Sequence, residues 1–201
     1  MMALQEELLH AAFRDVHAAR LHGFALLVAL GDRHAAGQAA SRALAAGLLR
    51  AHDLRHPERA AAWLRAEVVR DLRRRRPGPS DAAGREGVLA TLGATPAACR
   101  ALGTLSLLER AALVAEAVER LDPIDVETVV GKPPAAAHRI LRSAREAYLR
   151  ACLTMGDGAA ARTSEHPHPD GMVEPVRAGG ELAERVRRIT RGVLAPHAPV
   201  R

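Results

Sequence analysis

Apolar residues recur at three- and four-residue spacing through most of the first 150 positions, and no run alternates apolar and polar for long, so the pattern predicts helices and leaves no place for strands. The first stripe, Leu4, Leu8, Leu9, Ala12, Phe13 and Val16, marks the inner face of a helix of four or five turns, which Gly23 interrupts unless it begins the next one. The uncharged run over residues 24 to 30 reads as buried on most sides and as the spine of the first half. Asp32 or Arg33 opens a helix reaching Leu49 or Arg50, whose small-residue face (Ala35, Ala39, Ala43, Leu44, Gly47, Leu48) suits close packing. After the break at His56 and Pro57, a further helix buries Ala61, Leu64, Val68 and Leu72 and ends in Arg73, Arg74, Arg75 and Arg76, stopped by Pro77, Gly78 and Pro79.

From Pro77 to about Gly103 the pattern weakens, with Pro, Gly, Ser, Asp and Thr gathering, and at most a short helix over residues 96 to 102 is expected. Ser106 and Glu109 then form a capping box that starts a helix running to Leu121, with Leu107, Ala111, Val114 and Val118 inward. A short helix over residues 124 to 130 follows, with Asp122 as N-cap and Pro123 at its first position. Gly131 supplies a turn, because it alone tolerates a positive φ without a Cβ clash. A second helix begins at Pro134 and runs to about Ala151, burying Ala137, Ile140, Leu141, Ala144 and Tyr148 and turning Arg139, Arg142, Ser143 and Glu146 outward. Periodicity is lost from Met155 and returns only over residues 181 to 194, where Leu182, Val186, Ile189 and Val193 share one side. The expected fold class is therefore all-α: two small helical domains (1–78 and 104–153) joined by a flexible linker (79–103), the second containing a helix-turn-helix, and a C-terminal extension (154–201) with one helix.

Charge adds a partner to this picture. The formal net charge is +6, and all but Lys132 of the 29 basic residues are arginine, so a polyanion or an acidic protein surface is the natural partner. Residues 55 to 76 hold eight arginines against Glu58, Glu67 and Asp71, the most basic segment in the chain. In the helix-turn-helix, Lys132, Ala135, Ala136, His138 and Arg139 lie at or near the start of the second helix, the part of such a helix that meets base edges. Arg142 and Arg145 follow one turn later, where phosphates are expected.

Other chemistry is sparse. Cys99 and Cys152 are isolated and read as small buried apolar residues in a reducing cytoplasm. His166, His168 and Asp170 sit among prolines in a polar tract and read as linker, so neither a metal nor a cofactor is expected. There is no Gly-rich phosphate loop, nucleophile elbow or clustered acid/base set, which argues against an enzyme. No apolar run approaches the ~20 residues of a membrane span, so a soluble, cytoplasmic protein is expected.

Two segments together resemble a bacterial sigma factor of the extracytoplasmic-function type. FALLVALGDRHAA and RHPERAAAWLRAEVVRDLRRRRP are similar to the family's first domain, and LSLLERAALVAEAVERLDPIDVETVVGKPPAAAHRILRSAREAYLRA to its reader of the upstream promoter element. The resemblance implies binding to core RNA polymerase and promoter DNA. The helix carrying Gln38, Ser41, Arg42, Leu44 and Leu48 would meet the polymerase, the helix from Arg59 to Arg76, with Arg73, Arg74, Arg75 and Arg76 at its end, would lie along the melted strand, and Trp63 would pack in the core. It also leaves room for an anti-sigma factor as a partner. The family's polymerase-binding helix has an acidic, Gln-rich surface where this chain has Gly37, Gln38, Ser41 and Arg42. The alternative is therefore a degenerate sigma-like regulator that binds DNA or protein without recruiting polymerase.

Overall fold

The computed structural model describes residues 2–50, 54, 56–75 and 82–163. Every regular element among them is an α-helix: α1 (Met2–Val28), α2 (Arg33–Leu48), α3 (Pro57–Arg74), α4 (Ala82–Ala90), α5 (Pro96–Gly103), α6 (Leu107–Ala117), α7 (Pro123–Val130) and α8 (Pro134–Thr163). No helix among the described residues is long and apolar enough to cross a membrane.

The helix starts follow local chemistry. Asp32 accepts a hydrogen bond from the Ala35 N–H at 2.9 Å to open α2, and Thr95 accepts one from the Ala98 N–H to open α5. At α6 the capping box forms in both directions, Glu109 taking the Ser106 N–H at 2.9 Å while Ser106 takes the Glu109 N–H. The α7 start relies on Pro123 alone, since Asp122 makes no side-chain cap.

Three elements differ from the sequence expectation. First, α1 runs unbroken through Gly23, and its buried line is Phe13, His17, Leu21, Phe24 and Val28, which leaves Leu8, Leu9 and Val16 exposed. Gly47 of α2 lies against Phe13, so the packed body reaches that turn of α1 and the earlier apolar residues project past it. Second, the segment expected to be a flexible linker contains α4 as well as α5. Two glycines hide α4 in the sequence, but it buries Val88 and Leu89, ties Arg85 to Asp32 at 3.2 Å, and sets the Arg85 carbonyl against Gly31. Third, α8 continues to Thr163 instead of ending near Ala151, while α6 ends early, at Ala117.

That early end of α6 matters to the whole molecule. Arg120 adopts a left-handed φ of 57°, the Leu121 N–H reaches back to the Ala115 carbonyl at 3.0 Å, and the chain leaves the helix. Glu119 is thereby directed at Arg65 of α3, with which it forms a close ion pair. Arg65 is only 2% exposed; its other terminal nitrogen donates to the Ala61 carbonyl at 2.9 Å, and its guanidinium stands 5.6 Å from the centre of the Phe24 ring. Burial weakens the hold of Arg65 on its proton, and the Glu119 carboxylate opposes that effect. Buried His17, beside Phe13, is held below its ordinary pKa by burial and then by the charge of Arg65.

A second tie joins the same two parts of the chain. Arg110 of α6 donates to the Val28 carbonyl at the end of α1 (3.0 Å) and to the Leu105 carbonyl, so a cation meets the negative end of the α1 dipole. With α3 against α7 and α1 against α6, the residues of the two expected domains share one continuous apolar core.

Two left-handed glycines separate conformational strain from crowding. A Cβ at Gly31 (φ 78°) would lie 2.3 Å from the Arg85 carbonyl oxygen, whereas one at Gly131 (φ 61°) meets nothing within 4 Å. Gly131→Ala is expected to cost about 1 kcal/mol and Gly31→Ala about 3 kcal/mol or more in urea unfolding, since only the second adds a backbone clash to the φ penalty. Equal losses would refute the close approach of α4. Glu119→Ala strands a buried guanidinium and is expected to cost about 3–5 kcal/mol, most of it recovered in the Arg65→Met/Glu119→Leu double variant. A double variant no more stable than Glu119→Ala would show that the pair's packing, and not its charge, supports the junction.

Candidate nucleic-acid interface

The turn at Gly131 fixes how α8 is presented. The Gly131 N–H bonds back to the Glu127 and Thr128 carbonyls, Pro133 and Pro134 follow, and α8 leaves with Ala137, Leu141, Ala144 and Tyr148 facing the core. Its opposite face is exposed: Ala135, His138, Arg139, Arg142, Ser143, Glu146 and Arg150, with Lys132 at the turn and Ala136 half-buried. Neither Arg139, Arg142 nor Lys132 forms a salt bridge with another described residue, so three cations are presented along one edge. Ser143 is less available, because its hydroxyl donates to Glu109 at 2.8 Å. Burial alone would raise the Glu109 pKa, but hydrogen bonds from the Ser106 hydroxyl and N–H and from Ser143 hold it below the usual range.

Arg145 is a correction to the expected phosphate contacts. It is 8% exposed and points inward, where it makes a two-pronged ion pair with Glu116 of α6, one arm at 3.0 Å. Its position follows from spacing, since Leu141, Arg145 and Tyr148 fall on the same inner stripe. Its stem and fork replace an apolar residue there, an arrangement that the alternation of charge along α8 did not reveal.

The basic end of α3 also divides. Arg73 and Arg74 are exposed, and Arg76 lies outside the described residues. Arg75, expected on nucleic acid, instead donates to Asp71 at 2.7 Å. Asp71 also accepts from Arg42 of α2 at 2.8 Å. Burial pushes the Asp71 pKa up, but the bonds from the two arginines outweigh it and hold the carboxyl below its ordinary value.

On α2, Arg42 is therefore not a lone positive charge. It remains well exposed, yet it bridges to α3. Gln38 is half-buried and meets His34 at 2.9 Å, Ser41 is exposed, and Leu44 and Leu48 are half-buried against the core. Trp63 is likewise half-buried, with the Arg50 guanidinium 5.4 Å above its ring. Arg65, Arg110 and Glu119 were not singled out from the sequence; each sits among small apolar residues at a helical spacing that fits a solvated face equally well. Cys99 is buried, and burial together with Glu86 raises its thiol pKa, while Cys152 is half-buried. The His166 to Asp170 tract and residues 181–194 lie outside the described residues.

No protein-family model, curated protein or solved structure matches the chain.

The inward and outward arginines of α8 separate by stability. Arg145→Ala leaves Glu116 without its partner and is expected to cost about 1–3 kcal/mol in thermal or urea unfolding, whereas Arg142→Ala changes stability by no more than ~0.5 kcal/mol. A neutral Arg145→Ala would return that residue to the solvent-facing set.

Proposed function

We propose that the chain is a DNA-binding transcription initiation factor of the sigma type, in which α7, the Gly131 turn and α8 form a helix-turn-helix and α8 enters the major groove. The observation that carries this reading is the outward edge of α8. Small Ala135 and Ala136 at its start permit close approach to base edges, and Lys132, Arg139 and Arg142 are spaced to meet bases and flanking phosphates. The sequence resemblance to extracytoplasmic-function sigma factors supports the same assignment. In it α1 to α3 form the first domain, α6 to α8 the second, and α4 and α5 occupy the connection. Exposed Arg73 and Arg74 extend the basic surface to a second site.

One observation favours a narrower second reading, a sigma-like regulator that binds DNA without recruiting polymerase. Two polar groups of α2 are engaged within the molecule, Gln38 with His34 and Arg42 with Asp71, and the helix has no carboxylate between Arg33 and Leu48. Association with core RNA polymerase separates the two readings. A sigma factor is retained on the polymerase and initiates from a bound promoter, and the regulator does neither. Arg42→Glu is a poor probe of this face, because it would set a carboxylate beside Asp71.

The nucleic-acid reading itself is tested by salt dependence. Arg139→Ala and Arg142→Ala are each expected to lower the slope of log affinity against log salt by about 0.9 on duplex DNA, with Arg139→Ala also relaxing sequence preference. Arg145→Ala, compared below its melting temperature, is expected to leave the slope unchanged. Slopes unaffected by both outward arginines would remove α8 from the interface.

A further inference from the structure

Beside the outward edge of α8 lies a groove of about 510 Å³ between α7 and α8, with Pro123, Val126, Ala135 and Leu141 among its apolar walls and the Glu116–Arg145 pair at one side. Glu127 also lines it, and Ile124 on the same short helix is 74% exposed. Within a chain of net charge +6, α7 and its cap carry Asp122, Asp125 and Glu127 and no basic residue. An apolar groove with an acidic flank is poorly suited to phosphate and well suited to an apolar stripe bordered by arginines.

The sequence holds such a stripe. Over residues 181–194, Leu182, Val186, Ile189 and Val193 recur at helical spacing, and four arginines (Arg185, Arg187, Arg188, Arg191) stand against Glu181 and Glu184. The path is long enough. Returning along α8 from Thr163 to the level of His138 requires about 37 Å at ~1.5 Å per helical residue, and residues 164–180 span up to about 56 Å at ~3.3 Å per extended residue.

We propose that the α7–α8 groove is the docking site of the chain's own segment 181–194, which occupies it in competition with duplex DNA. The competition, not the docking, rests on the nucleic-acid reading above. Occupation places the segment against Ala135 and His138, which line the groove and also belong to the edge offered to DNA. Val186 and Ile189 fill the apolar floor, and the arginines of the segment meet Glu127 and its acidic neighbours.

The test is amide hydrogen exchange of residues 181–194 in the full chain. Exchange in the wild type is expected to be slower than in Ile189→Asp by about tenfold or more. Glu127→Arg should abolish the difference, and Arg188→Glu on that background should restore it; circular dichroism verifies that each variant keeps its helices. Equal exchange in wild type and Ile189→Asp, or protection untouched by Glu127→Arg, overturns the docking. Protection that grows with protein concentration also overturns it, in favour of a second copy. Affinity for a random-sequence duplex at fixed salt is then compared. Tighter binding by Ile189→Asp supports competition, and unchanged binding with protection intact overturns the competition. Intact protection with no DNA binding by either protein supports the docking and sinks the nucleic-acid reading.

Discussion

The ion pair between Arg65 and Glu119 holds the two halves of the molecule in one arrangement. A guanidinium removed from water requires a carboxylate, and the one it finds lies 54 residues away on the other half. Apolar surfaces made of alanine and valine tolerate sliding, because one small side chain substitutes for another at little cost. A buried charge does not, since any slip leaves it unpaired. The net stability gained by such a pair is small, but the cost of breaking it is large, so its main effect is on the relative placement of α3 and the end of α6. The left-handed turn at Arg120 serves the same end by directing Glu119 inward.

Close backbone approach supplies much of what bulky side chains supply elsewhere. Only four aromatic residues occur in the chain, and the buried face of α2 is Ala36, Ala39, Ala40, Ala43 and Gly47. A Cβ at Gly47 would lie 2.8 Å from Leu64 and 3.1 Å from Phe13, so α1, α2 and α3 converge where there is no side chain at all. Each such residue removes little apolar area from water, and the few large buried groups, Tyr148, Phe24, Leu21 and Leu64, carry a disproportionate share. Helix caps and arginine ties to backbone carbonyls then matter more than they would in a core rich in leucine and phenylalanine.

The all-α class was legible in the sequence, as were the starts at Asp32, Ser106, Pro123 and Pro134 and the buried line of α8 apart from half-buried Ile140, because each rests on local chemistry or on one unambiguous period. The inner face of α1 was not. Leu8, Leu9 and Val16 are as apolar as the residues that are buried; the extent of the neighbouring helices leaves the turn of Leu8 and Leu9 uncovered, and Val16, between buried Phe13 and His17, falls on the outer side of a covered turn. Helix α4 escaped notice because its stability is tertiary: it rests on Gly31 and Asp32, which are more than 50 residues away. For the candidate interface, the outward placement of Arg139 and Arg142 followed from the apolar stripe opposite them. The inward turn of Arg145 did not, since a long side chain at a boundary position finds a carboxylate or solvent according to what the next helix presents.

Net charge is therefore a poor guide to where this protein offers charge. Arg65, Arg110 and Arg145 are spent on internal partners, and Arg42 and Arg75 share Asp71, whereas Arg73, Arg74, Lys132, Arg139 and Arg142 are exposed, as are the scattered Arg14, Arg20, Arg33, Arg59, Arg120 and Arg150. The acidic α7 lies directly beside the basic edge of α8. A polyanion brought near the pair would be drawn to one helix and repelled by its neighbour. That polarity arises from a few residues, since Asp122, Asp125 and Glu127 precede the glycine turn and the cations follow it. The geometry of the turn keeps the two signs on adjacent surfaces.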